Sequence, residues 1–119
     1  MKHITPIIMV ATLFFTGCNH DEEWSKMIVG EWHGVSWVAE GKPAIEDAST
    51  VTMLFSKDSV YNLFIGNGME NGDYYVNNDS LFLIPEKSED VKMKIISLSD
   101  AKLELQVFRG ELENIEFKR

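Results

Sequence analysis

From Gly30 onward, apolar and polar residues alternate in short runs, the period of strands with one buried face. Eight runs of this kind stand out, at 31–40, 49–55, 59–65, 73–76, 80–84, 91–98, 102–108 and 114–119. The second is the clearest: Val51, Met53 and Phe55 alternate with Thr50, Thr52 and Leu54. Turn-forming residues separate the runs, at Gly41-Lys42-Pro43, Ser56-Lys57-Asp58, Asn77-Asn78-Asp79, Pro85, Ser99-Asp100 and Gly110. Gly66 to Gly72 is rich in glycine and asparagine and reads as a loop. Ahead of the strands, residues 21–29 have helical spacing. Trp24, Met27 and Ile28 share one face, Asp21 is placed to cap, and Gly30 ends the run.

Short strands joined by tight turns pair with their sequence neighbours, giving an antiparallel meander. Eight strands that close on themselves leave no open edge. The predicted fold is therefore all-β: an eight-stranded antiparallel up-and-down barrel with a short N-terminal helix. No helical pattern falls between the strands, which excludes a parallel α/β sheet. Strict alternation in the first strand predicts that, with Trp32 inside, Gly34, Ser36 and Val38 are also inside. Val35 and Trp37 would then face out.

The first residues have a different character. Lys2 precedes an apolar run from Ile4 to Phe15, too short to span a membrane. Such a run, followed by small residues, describes a secretory signal. Phe15-Thr16-Gly17-Cys18 resembles the lipobox of bacterial lipoproteins. That resemblance implies a signal peptide over 1–17, a lipid on Cys18, an anchored segment with its helix over 18–29, and the barrel over 30–119. Cys18 is the sole cysteine, so no internal disulfide can form, and acylation would remove a lone thiol. Asn19 and the acidic Asp21-Glu22-Glu23 resemble lipoproteins sent to the outer membrane, facing the periplasm or the cell surface.

Gly30-Glu31-Trp32 is a G-x-W at the start of the first strand. Phe55 to Asp58, Gly72-Asp73-Tyr74, Leu103-Glu104-Leu105 and Phe117-Lys118-Arg119 follow in order. Together these resemble the small lipocalin-like domains of bacterial lipoproteins, over about residues 24 to 119. The resemblance implies that Gly30 allows a sharp turn and that Trp32 plugs one end of the barrel. It also implies that Arg119, or failing that Lys118, lies across the indole. A barrel of this size has room for packed side chains or one small ligand.

Composition narrows the function. The formal charge is −8 at pH 7, and Lys and Arg form no cluster, so a nucleic-acid partner is not expected. His3, His20 and His33 lack the spacing of a metal site, and there is no G-x-S-x-G nucleophile motif. Neither catalytic residues, nor a cofactor, nor a metal is expected. The aromatics and methionines remain: Trp37, Met53, Phe55, Tyr61, Phe64, Tyr74 and Met93 are the candidates to line a pocket. The expectation is a membrane-anchored, non-enzymatic lipoprotein binding a small or apolar ligand. The alternative is a barrel with a filled interior that serves as an interaction module in a cell-envelope complex.

Overall fold

The computed structural model describes residues 20–119. The expected signal and Cys18 lie outside the described residues. Helix α1 (His20–Met27) is followed by β1 (Gly30–Ala39), β2 (Lys42–Pro43), a 3-10 turn (Ala48–Thr50), β3 (Val51–Phe55) and β4 (Val60–Ile65). Then come β5 (Gly68–Asn77), β6 (Ser80–Pro85), β7 (Val91–Leu98), β8 (Lys102–Phe108) and β9 (Leu112–Lys118). The strands from β3 onward pair with their sequence neighbours, all antiparallel, and β1 pairs with both β3 and β9. That last pairing closes an eight-stranded barrel. The two-residue β2 is an appendage on the far end of β1, held by Val38↔Pro43 and Ala39↔Lys42.

The turns follow from their side chains. Ser56 Oγ accepts from the backbone N–H groups of Asp58 and Val60, both at 3.2 Å, and folds the β3–β4 turn. Ser99 Oγ does the same for Ala101 and Lys102 between β7 and β8, at 3.3 and 3.2 Å.

Two expectations are corrected by the structure. The segment from Gly66 to Gly72 is not a loop. β5 begins at Gly68, and Ile65↔Gly68, Phe64↔Met69 and Leu63↔Glu70 continue the ladder, leaving Gly66-Asn67 as a two-residue turn. Composition suggested a loop, but a tight hairpin needs only two such residues, and the ladder takes the rest. The second correction is in β1. Its register against β9 shifts between Gly34 and Ser36, so Val35 forms a β-bulge. One extra residue reverses the alternation beyond it. Gly34 lies opposite buried Phe117 and Trp37 lies opposite buried Ile115. Trp37 therefore faces inward, not outward.

One cluster fills the interior, drawn from every strand of the barrel and from Ile28 below it. Barrel and core are both complete within residues 20–119, so this span folds as a unit. The two ends differ. α1, the start of β1, the end of β9 and the turns β3–β4, β5–β6 and β7–β8 gather at one end. The β4–β5 turn, the β6–β7 loop, the β8–β9 turn and the β2 appendage ring the other.

Candidate functional site

The α1 end is plugged. Trp32 is fully buried, and its Nε1 donates to the Ile28 carbonyl at 2.8 Å, so the indole has no unmet polar atom. The Arg119 guanidinium lies over the ring, 4.1 Å from its centroid. Arg119 also donates from Nε to the Asp100 carbonyl at 2.8 Å, from Nη1 to the Val29 carbonyl at 3.0 Å, and from Nη2 to the Met27 carbonyl. Met27 and Val29 lie at the end of α1, where free carbonyls attract a cation. Gly30 has φ 134°, and a Cβ there would fall on the same guanidinium. Phe55 and Tyr74 meet edge to face at 4.8 Å beside the plug, and Tyr74 Oη donates to the Ser56 carbonyl at 2.6 Å.

The opposite end is open. A cavity of about 540 Å³ occupies the mouth, walled by Trp37, Leu63, Leu83, Met93 and Val107, with Glu70 among its lining. Two polar groupings punctuate these walls. On one side the Trp37 Nε1 donates to Glu113 Oε1 at 2.8 Å. Arg109 donates to the same carboxylate from Nη2 at 2.7 Å and from Nε at 3.3 Å. The Arg109 hydrogen bonds hold the Glu113 carboxyl below the usual carboxylate range; burial works against them and the Trp37 bond supports them. On the other side Tyr61 Oη donates to Glu70 Oε2 at 2.7 Å. Burial, together with the bond to Glu70, pushes the Tyr61 phenol well above the ordinary tyrosine value.

These positions sort the sequence candidates. Trp37 and Met93 line the cavity. Met53, Phe55, Tyr61 and Tyr74 are buried beneath it and fill the lower barrel. Phe64 does not belong to the interior. It pairs across strands with Met69, is 38% exposed, and faces outward. Tyr61, Leu63 and Ile65 take the inward phase of β4, which leaves Phe64 outside. Sequence reasoning missed Leu63, Leu83 and Val107, although the alternation of their strands carries the signal. It missed Glu70 because that residue lay in the segment read as a loop. Among the described residues no group of His, Cys, Asp and Glu is arranged to hold a metal ion. No described helix is long and apolar enough to cross a membrane.

A closed eight-stranded meander, a helix-capped tryptophan plug and an open mouth define a small barrel of lipocalin-like architecture. Residues 28–105 match the lipocalin-like domain family, and the chain belongs to it. A crystal structure of a lipocalin-like protein from Bacteroides uniformis superposes with a TM-score of 0.63 at 15% identity, covering 78% of this chain and 98% of that one. A DUF4847 family protein from Bacteroides vulgatus superposes at 0.55 and 14% identity, covering 77% and 93%. At these identities the likeness is one of fold. Among curated proteins no significant match is found.

Proposed function

We propose that this chain is a cell-envelope lipoprotein, held to the outer membrane by a lipid on Cys18, that binds a small apolar molecule in the mouth of its barrel. The observation that carries the binding reading is the cavity of about 540 Å³ at the unplugged end. Its volume is in the range of small-molecule sites, and its walls are mainly apolar with a few placed polar groups. The lower half of the barrel is filled by Tyr61, Phe55, Met53 and Leu105, which makes the cup shallow. A shallow cup removes little ligand surface from water, so binding is weak and loosely selective.

The anchoring part rests on the sequence around Cys18. One residue, Asn19, separates Cys18 from helix α1, and α1 caps the plugged end. An anchor there would hold the plug near the membrane and turn the mouth away from it. The reading is of a carrier or sensor, not of an enzyme.

The test is titration of residues 19–119 with a panel of fatty acids, alcohols, sterols and haem-like compounds, followed by tryptophan emission. Trp37 in the wall should report the ligand with saturable quenching. Val107→Trp, which places a large ring in the cup, should abolish the signal without unfolding the barrel. A protein that neither shows saturable binding nor carries co-purified lipid would leave the interaction module standing. One observation favours that rival: the outer face carries Phe64 and Met69 side by side, and a stacked Tyr75–Phe82 pair at 4.6 Å.

A further inference from the structure

We infer that the mouth selects apolar molecules bearing a protonated amine, held by Glu70, over carboxylates of the same length. This rests on the cup being the binding site. Glu70 lies on β5 directly across from Leu63 on β4, in the inward phase shared with Gly72 and Tyr74. It lines the cavity. Its one hydrogen bond comes from Tyr61 Oη, and among the described residues no cation pairs with it. A carboxylate offers about four acceptor positions over its two oxygens, and a single phenol leaves most of them open to a ligand.

The cations of the mouth already have partners. Arg109 is the cation that an acidic headgroup would seek, but its charge is already paired with Glu113, to which it donates from Nε and Nη2. That carboxylate is further tied by Trp37. Lys92 borders the cavity, yet its ammonium sits 5.7 Å from the centroid of the Phe82 ring, and β6 pairs Phe82 with Lys92 on the outer face. Glu89 and Asp90 complete the lining from the β6–β7 loop. Three carboxylates, Glu70, Glu89 and Asp90, therefore line one apolar space whose guanidinium is paired with a fourth, Glu113, and whose lysine points its ammonium at an outer-face ring. A fatty-acid anion would meet a lining with more carboxylates than cations, its guanidinium already neutralised by Glu113. An ammonium on an apolar body would find the open oxygens of Glu70 while its chain lies against Leu63, Leu83 and Met93.

The test compares decylamine, decanol and decanoate at pH 7 on residues 19–119, by calorimetry and tryptophan emission. Decylamine should bind about tenfold more tightly than decanol, as one charge-assisted hydrogen bond allows, and decanoate more weakly than either. Glu70→Gln keeps an acceptor for Tyr61 and should bring decylamine down to the affinity of decanol, with decanol unchanged. Glu111→Gln removes an equal charge from the exposed β8–β9 turn at the same end, outside the cavity lining, and should leave the preference in place, which separates a site from diffuse attraction. Tyr61→Phe frees the carboxylate of its internal donor and should hold decylamine at least as tightly as the parent chain. Decanol binding without an amine preference, or a preference that survives Glu70→Gln, overturns the inference while the cup stands. If none of the three binds, the cup reading fails and this inference with it.

Discussion

Trp32 combines the largest apolar side chain with a single N–H, and the fold meets both demands at once. The ring is fully buried, and the N–H reaches the Ile28 carbonyl, just past the end of α1, at 2.8 Å. Arg119 then ties the last residue of the chain to the first element of the domain, since it covers the indole while binding carbonyls of both α1 and the β7–β8 turn. Trp32→Ala should lower stability by about 3–5 kcal/mol, the range for truncating a large buried aromatic. Urea unfolding followed by circular dichroism measures this, and an unchanged midpoint would remove Trp32 from its place as the plug. This end was legible in the sequence because G-x-W combines a residue that accepts positive φ with one that demands burial. The partnership of Trp37 with Glu113 was not legible. The two residues lie on β1 and β9, and only their pairing across the closure of the barrel brings them together.

At the scale of the element, alternation predicts which strands exist better than it predicts their phase. The strands over 91–98 and 102–108 carry the expected limits. The bulge at Val35 has no signature in a single sequence, because an inserted residue looks like any other member of an alternating run. Its effect is large all the same, since it turns Trp37 from the outer surface into the cavity wall. In β5 the failure ran the other way: Gly72 contributed to a loop assignment, whereas its glycine serves the strand. Gly72 faces the interior opposite Pro85. A Cβ there would fall on the Ile84 carbonyl oxygen and lie 2.8 Å from Pro85 Cα. Both are backbone atoms of β6 and can yield only if the strands part. Gly72→Ala should therefore destabilise by roughly 1–3 kcal/mol, the usual range for overpacking a close-packed interior. Thermal unfolding checks it, and a melting temperature equal to the parent's would show that β5 and β6 part at Gly72 without cost.

For the molecule as a whole, the polar groups that cross its interior set the pH range over which it is stable. Glu113 is held below its ordinary value of 4.5, first by the hydrogen bonds of Arg109 and then by that of Trp37. A depressed carboxyl stabilises the fold above its unfolded value and loses that contribution as the pH falls through the folded one. The acid limb therefore opens below about pH 4.5. Tyr61 acts at the other extreme. Its phenol is raised from 10.0 by burial and by Glu70, and that of Tyr74 is raised by burial. Both stay neutral in the fold while the unfolded chain begins to ionise near pH 10, so stability is full below that pH and declines above it. Stability should consequently hold a plateau between these limits. Glu113→Gln should lower the plateau, because Arg109 and Trp37 lose their charged acceptor, and should flatten the acid limb. Tyr61→Phe should soften the alkaline limb without abolishing it, since Tyr74 still titrates. The measurement is the urea midpoint of the three proteins from pH 3 to 11. If Glu113→Gln keeps the acid slope of the parent, the carboxylates of the exposed turns set acid stability. Asp47, lowered by its hydrogen bonds from Ser49, would be the first of these to test. The Trp37–Glu113–Arg109 bridge would then shape the mouth without securing the barrel.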